Sequence, residues 1–424
     1  MKRKIFKSQV IFLLIMTALG IFNSISPQII FAQEKSQIFS PRVLFIAFNP
    51  VEGNKNMAKE FYGWYYSGEN ENVEEWENRQ VQKNIDSFKR LSNNTINYQL
   101  VKKINISQFP KYTNGFQYSF AKFREWGCAS GDPQGNCERQ KWYFDYISWI
   151  KDNHICEIAR ENDVDEIWVI SVPFIMAYES FMIGPSDSFY INGPGFNIPE
   201  CIKHYAVMDM VYTRDDTILH IFGHRIEAQM GYLTQNWKEE DYQLHWKNFS
   251  AIDRYSEPYG GTSRTYPRVY CGNTHFPSNA LTHYDYYNHE TKTSSCPDWK
   301  NFPNYKGEVQ NINCEFWGCN DRGWQELWFS SLPRGSGYAI MTDKNGKKIY
   351  FKKNWWYYLL YPDNSIKFFK NASIISEDIN KDGKVDNLDL RSLLTNWLTS
   401  ETDLTNDGTT NEKDLTLLLA NWYN

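Results

Sequence analysis

The sequence lacks an excess of charge of either sign. Its 45 Lys and Arg nearly balance its 50 Asp and Glu, the net charge is −5 over 424 residues, and the basic residues are spread along the chain. Proteins that bind nucleic acid usually concentrate basic residues in one patch. The composition therefore argues against nucleic acid as a partner. A content of 42% apolar residues also excludes low-complexity disorder.

Several common catalytic motifs are missing. The sequence contains no G-x-S-x-G nucleophile elbow, no P-loop and no G-x-G-x-x-G dinucleotide fingerprint. Its eight cysteines include no C-x-x-C pair, which is the usual spacing in a zinc knuckle. The acidic residues are too numerous for a glycosidase pair to be recognised by spacing. The chemistry of the chain must therefore be sought in less common patterns.

Long hydrophobic runs are missing after residue 22. A basic start, Lys2 to Lys7, precedes an apolar run over residues 10–22, whereas a spanning helix needs about 20 apolar residues. A cleavage point after Ala32 fits this pattern. The sequence predicts a signal peptide over residues 1–32 and no transmembrane segment after its removal. It thus predicts a secreted, extracellular or cell-surface protein, with an uncleaved anchor as the alternative.

All eight cysteines follow the predicted signal peptide. In an oxidising compartment such a set usually forms structural disulfides. Short loops close most easily, which favours pairing Cys128 with Cys137 and Cys314 with Cys319. We expect the cysteines to stabilise the fold rather than to take part in catalysis.

Strand-like and helix-like patterns alternate through most of the chain. Short continuous apolar runs are typical of buried strands, and apolar residues three or four apart indicate helices. These patterns predict strands at 43–48, 96–104, 165–172 and 205–212 and helices at 73–91, 140–161 and 215–235. The alternation predicts an α/β fold over residues 42–362, a layered domain with a largely parallel sheet. Residues 255–325 show little periodicity, and we expect disulfides and packing to order them.

The end of the chain contains an internal repeat at an offset of 25 residues. Calcium prefers several hard oxygen ligands, which an EF-hand loop supplies at alternate positions around a glycine. Gly383 and Gly408 occupy the glycine position of the two copies, and an apolar helix pattern follows each copy. The predicted calcium ligands are Asp378, Asn380, Asp382, Lys384, Asp386 and Asp389 in the first loop and Asp403, Thr405, Asp407, Thr409, Asn411 and Asp414 in the second.

The paired loops resemble a type I dockerin, the calcium-binding adaptor that plugs enzymes into cohesin-bearing scaffold proteins. The resemblance rests on Asp at the last loop position and on one helix after each loop, and it covers residues 377–424. It implies a small all-α calcium-binding module with a cohesin-like scaffold as its partner. A change in composition after Asp363 separately predicts a linker at 363–376. Thr405 departs from the usual pattern, which implies a weaker second site. The typical cargo of such a module is a polysaccharide-degrading enzyme.

One group of residues in the main domain has the spacing of metal ligands. His220, His224 and Glu227 share one face of the predicted 215–235 helix. Two histidines one turn apart are typical of zinc sites, although the sequence lacks the H-E-x-x-H signature. We expect a third ligand from a loop, with His275 favoured and His283 as the alternative. The sequence therefore predicts calcium in the tail and a candidate zinc site in the main domain.

Two glutamates are candidate catalytic residues. Glu227 would orient a metal ligand or transfer a proton. Glu179 is a candidate general base because it follows the predicted strand 165–172, and open α/β sheets bind ligands beyond the carboxyl ends of their strands. The segment Phe222-Gly-His-Arg-x-Glu227 resembles a group of secreted bacterial proteins with no assigned activity, so it implies no activity.

Two functions stay open at the level of the sequence. The first is a metal-assisted hydrolase that acts on polysaccharide or another extracellular polymer. The second is a non-catalytic glycan-binding or cell-surface assembly protein that uses the aromatic residues, 17% of the chain. The histidine helix has its own alternative, a buried polar network in which His and Glu satisfy each other.

Overall fold

The computed structural model describes the chain from residue 38 to residue 422 with seven gaps. The described stretches are residues 38–66, 72–213, 217–251, 269–371, 377–380, 385–404, 409–420 and 422. The predicted signal peptide, residues 1–32, lies outside them. Within the described stretches, no helix is both long and apolar enough to cross a bilayer.

Twelve strands and fourteen α-helices make up the described secondary structure. The strands are β1 (Arg42–Phe48), β2 (Val51–Glu52), β3 (Lys55–Asn56), β4 (Gln99–Ile106), β5 (Glu166–Ser171), β6 (Ser180–Gly184), β7 (Gly195–Asn197), β8 (Tyr205–Val211), β9 (Lys292–Ser294), β10 (Gln310–Ile312), β11 (Arg334–Thr342) and β12 (Lys348–Asn354). The helices are α1 (Met57–Tyr66), α2 (Val73–Leu91), α3 (Phe120–Glu125), α4 (Asn136–Lys141), α5 (Tyr146–Asp152), α6 (Ile155–Glu161), α7 (Thr217–Thr234), α8 (Glu239–Tyr242), α9 (Asn248–Ser250), α10 (Asp321–Ser330), α11 (Trp356–Leu359), α12 (Pro362–Asn371), α13 (Asn387–Thr395) and α14 (Glu412–Ala420).

A six-stranded sheet in the order β4-β1-β5-β8-β6-β7 lies at the centre of the fold. β1 pairs in parallel with β4 and β5, and β5 pairs in parallel with β8. β6 runs antiparallel to β8 and parallel to β7. β1, β5 and β8 are buried along almost their whole length, as expected for parallel strands covered on both faces. The predicted α/β fold with a largely parallel sheet is confirmed.

Helices pack against both faces of this sheet. On one face, the ring of Phe88 in α2 lies 5.0 Å from that of Phe222 in α7 and 6.2 Å from that of Trp168 in β5. On the other face, the ring of Phe48 in β1 lies 5.4 Å from that of Trp149 in α5. The side chains of a strand alternate between the two faces, so each apolar strand contributes to both layers of the core.

A buried ion pair fixes α7 on the sheet. Nη1 of Arg225 lies 2.7 Å from Oε2 of Glu166 in β5, and both side chains are fully buried. The hydroxyl of Tyr98 and Nε1 of Trp168 also donate to Glu166, at 3.0 and 2.8 Å. A buried charge requires this number of partners. The network sets the rotation of α7 and therefore the direction of the face that carries its histidines.

Two segments differ from the sequence-based predictions. The predicted helix 140–161 is interrupted twice. No helix covers residues 142–145, between α4 and α5, and His154 separates α5 from α6 with a left-handed backbone at φ 52°. The predicted linker 363–376 is helical as far as Asn371, since α12 covers its first part. Ile366 of α12 is buried, so this helix packs as part of the domain.

The C-terminal helices contact the hairpin formed by β11 and β12. Leu393 and Leu418 of these helices, with Val385 just before α13, form a buried apolar cluster against which Tyr338 and Tyr350 of the hairpin pack. The hairpin is thus in direct contact with the segment that contains the predicted calcium loops.

Four disulfides cross-link the domain: Cys128–Cys137, Cys156–Cys201, Cys271–Cys296 and Cys314–Cys319. No cysteine among the described residues is free. The prediction of structural disulfides is confirmed, including both short loops. Two of the bridges lie within residues 269–325, where the chain forms short strands and 3-10 turns rather than long elements.

Candidate metal centre

Three histidine side chains meet beside the first turns of α7. His220 and His224 lie one turn apart on α7, and His275 comes from the loop that follows Cys271. Nε2 of His220 lies 3.2 Å from Nε2 of His224 and 3.2 Å from Nε2 of His275. Nitrogens that share a tetrahedral zinc are about 3.3 Å apart. The structure therefore brings the three predicted ligands together at a spacing that fits a metal ion.

Two carboxylates orient the imidazoles of α7. Oδ2 of Asp321, the first residue of α10, lies 2.8 Å from Nδ1 of His220. Oε2 of Glu227 lies 3.1 Å from Nδ1 of His224. A carboxylate accepts a hydrogen bond from Nδ1–H, so the lone pair of each neutral ring is placed on Nε2. Carboxylate–histidine pairs of this kind orient the ligands in metal sites.

The facing imidazole nitrogens favour a proton or a metal ion between them. With both Nδ1 atoms protonated, the lone pairs of His220 and His224 face each other across 3.2 Å. A proton or a metal ion between them removes the repulsion. Burial opposes a charge on His224, but the hydrogen bond and negative charge of Glu227 outweigh it and raise its pKa. Burial and the neighbouring histidines lower the pKa of His275, which favours the neutral form that binds metals.

The loop before His275 holds the carboxylates in place. The amide of Thr274 donates to Oε1 of Glu227 at 2.8 Å. Nε2 of Gln325 donates to Oδ1 of Asp321 at 2.9 Å and to the carbonyl of Thr274 at 2.8 Å. A Cβ atom at Gly223 would lie 2.5 Å from Oγ1 of Thr274, so only glycine allows this loop to approach α7. The side chains of Thr274 and Gln325 thus fill the space beside Gly223.

A fourth histidine and a tyrosine border the trio. The ring centroid of His283, the alternative third ligand, lies 4.2 Å from that of His275. The ring of Tyr284 lies 4.0 Å from those of His275 and His283, and Tyr284 is 48% exposed. Among the described residues, two groups have convergent ligand atoms: His220, His224 and His275 form one, and the other contains His289 and the disulfide Cys314–Cys319. His283 and Tyr284 therefore lie at the rim, between the cluster and solvent.

The two predicted catalytic glutamates have different surroundings. Glu227 is buried and bonds both His224 and Thr274, which is the position of a residue that orients a ligand. Glu179 is exposed and accepts a hydrogen bond from Asn192 at 2.9 Å. Its charge contributes to the raised pKa of His224, so Glu179 lies within electrostatic range of the trio.

The predicted calcium loops end in buried aspartates. Asp389 and Asp414, at the last position of each loop, are fully buried. Asp389 accepts from the amides of Asn380 and Asp386, at 3.0 and 2.9 Å, and Asp414 accepts from the amide of Asn411 at 2.7 Å. The predicted ligands Asp378, Asp403 and Thr409 are also described, whereas Asp382, Lys384, Thr405 and Asp407 lie outside the described residues. The carboxylates at the last position of the two loops are therefore both buried and both accept hydrogen bonds from backbone amides of their own loop.

Sequence reasoning misses Asp321 and Gln325. Asp321 is 101 residues from His220, and no local spacing connects the two. A comparison of the chain with models of known families, with curated proteins and with solved structures finds no match. The geometry of the site itself indicates its chemistry, a nitrogen-rich centre with two carboxylates behind it.

Proposed function

We propose that His220, His224 and His275 bind a divalent transition metal, with zinc best suited to the donors, and that the main domain is a metal-dependent hydrolase. One observation carries the proposal, the convergence of three Nε2 atoms of which two belong to imidazoles held by carboxylates. Imidazole suits zinc, and three histidine ligands leave a fourth position open for water or substrate.

Hydrolysis follows from what such a centre supplies. A bound zinc ion acidifies water and polarises a substrate carbonyl or phosphoryl group. Asp321 and Glu227 hold the ligand rings in the metal-binding tautomer. Glu179, which is exposed, is the candidate general base. In this proposal, the buried Glu227 positions His224, and the exposed Glu179 transfers a proton.

The surroundings support an extracellular polymer as substrate. Four disulfides fit an extracellular protein. We propose that the C-terminal loops bind calcium and dock the protein on a cohesin-like scaffold, as their resemblance to a dockerin implies. A docked hydrolase would act on polysaccharide or another polymer near that scaffold.

Metal analysis of the full-length protein tests the proposal. We expect about one zinc per chain in the wild type after dialysis against trace zinc, and none in His224→Ala. His154→Ala is the matched control, because this histidine is exposed and distant in sequence from the cluster; it should retain zinc. Calcium is measured in the same samples and should not change in either variant. Release of reducing ends from a panel of polysaccharides should require the zinc.

Two results would contradict the metal centre. A wild-type protein that contains no zinc, together with a loss of roughly 1 to 3 kcal/mol of stability in His224→Ala, would identify the histidines as a buried polar network. Affinity for soluble glycans without zinc and without turnover would instead favour a glycan-binding or assembly protein.

A further inference from the structure

The loop that carries His275 turns back over the histidines and is fixed on both sides of Tyr284. The amide of Tyr284 donates to the carbonyl of His275 at 2.9 Å, and the amide of Tyr286 donates to the carbonyl of Tyr284 at 2.9 Å. The hydroxyl of Tyr286 donates to the carbonyl of Thr274 at 2.9 Å. The position of Tyr284 is therefore determined by the backbone of the site.

Tyr284 adopts a backbone conformation that its side chain disfavours. Its φ is 62°, in the left-handed region where glycine and asparagine are the usual residues. A bulky residue in this region costs of order 1 kcal/mol and persists only where the surroundings impose it. Such residues concentrate at functional sites. A tyrosine therefore occupies a position at which the backbone conformation alone would favour glycine or asparagine.

The ring of Tyr284 lies at the boundary between the trio and solvent. It is 4.0 Å from the ring of His275 and 6.1 Å from that of His220, to which it is nearly parallel at 19°. Yet Tyr284 is 48% exposed. A side chain that only completed the core would be buried more fully. The exposed part of Tyr284 can therefore contact a molecule that enters the site.

We propose that Tyr284 is a substrate-contacting residue, whose hydroxyl donates a hydrogen bond to the substrate oxygen that binds at the histidine trio. This inference rests on the proposed metal centre. Glu227 and Asp321 each bond one imidazole of the trio, so a substrate oxygen that becomes negative during hydrolysis needs a hydrogen-bond donor near two carboxylates. A fixed phenol at the rim supplies one, and donors held in place before the reaction stabilise such oxygens most effectively.

Acetohydroxamate, a small anion that binds zinc through oxygen, is a suitable probe of this contact. Its dissociation constant is measured by calorimetry on the zinc-loaded, full-length protein, together with zinc content. We expect Tyr284→Phe to weaken the probe about tenfold and to retain zinc, because one hydrogen bond to a charged oxygen is lost while the ring stays. Tyr287→Phe is the matched control, since Tyr287 lies in the same loop and is 66% exposed; it should bind as the wild type does.

The outcomes separate this inference from the metal centre itself. Wild-type affinity in Tyr284→Phe with zinc retained would overturn the role of the hydroxyl and leave the metal centre intact. Equal weakening in Tyr287→Phe would also overturn it, because the effect would then belong to the loop in general. A wild-type protein without zinc would overturn the metal centre and, with it, the role of Tyr284.

Discussion

His245 shows how a buried histidine behaves outside the trio. Its Nδ1 lies 2.9 Å from the hydroxyl of Tyr305. Burial lowers its pKa to about 4, and the charge of Asp241 offsets only part of this effect. His245 thus stays neutral in the folded protein near neutral pH, whereas His224 has a raised pKa beside Glu227. The contrast distinguishes a histidine packed in the core from one held by a carboxylate.

The lowered pKa of His245 predicts an acid-sensitive fold. Between pH 6.5 and 4 the unfolded chain binds a proton that the folded protein excludes, so stability falls as the pH falls through this window. The full effect is roughly 3 kcal/mol, the cost of lowering this pKa from 6.5 to about 4. Urea unfolding of the wild type and His245→Gln between pH 7 and 4 measures it, and the variant should lose this part of the slope. If the stability of the wild type and of His245→Gln fell equally with pH, His245 would not be the source of the acid sensitivity. His154→Gln, at an exposed histidine, is the control.

The sequence predicted the three histidines more readily than the residues that hold their side chains in place. His220 and His224 could be paired because helical periodicity places them on one face of α7. His275 could be proposed because a loop must supply the third ligand that closes the site. Asp321 could not, because its contact with His220 depends on how α10 packs against α7, and packing between distant segments leaves no local pattern.

At the scale of elements, local sequence patterns predicted the long helices and the buried strands. The predicted helices 73–91 and 215–235 correspond to α2 and α7, and the predicted strand 165–172 corresponds to β5. The break at His154 was not predictable from apolar spacing, since the same spacing continues across it. The antiparallel direction of β6 depends on its pairing with β8, which one sequence does not show.

Because the β11–β12 hairpin contacts the C-terminal helices, we predict that calcium removal also affects the hairpin. Removal of calcium from the full-length protein should melt α13 and α14, because the loop carboxylates repel one another without a cation. Tyr338 and Tyr350 should then become more exposed. Circular dichroism and tyrosine fluorescence with and without chelator measure both effects. Unchanged helicity after chelation would contradict the calcium loops.

A variant of the first loop refines this test. Asp389→Ala removes a fully buried carboxylate at the last loop position and should abolish one calcium site in a calorimetric titration. Glu401→Ala removes an exposed acid outside the loops and should leave both sites intact.

At the scale of the whole molecule, the disulfides differ in how much chain they enclose. Cys156–Cys201 spans 45 residues, whereas Cys314–Cys319 spans 5. Cross-linking restricts the unfolded chain more when the loop is longer, which corresponds to about 4 and about 2 kcal/mol for these bridges. Replacing both cysteines of a bridge by alanine should therefore lower stability more for Cys156–Cys201. Equal losses in urea unfolding, or the reverse order, would contradict this ranking.

Two disulfides lie next to residues of the proposed metal centre, which bears on how the newly made chain would bind a metal. Cys271 precedes His275 by four residues, and Cys319 precedes Asp321 by two. The loop ligand and the carboxylate behind His220 are thus each anchored by a covalent bridge. A chain held under reducing conditions would carry its α7 histidines without a firmly placed His275. The redox state of the compartment would then decide how well the proposed metal centre is formed.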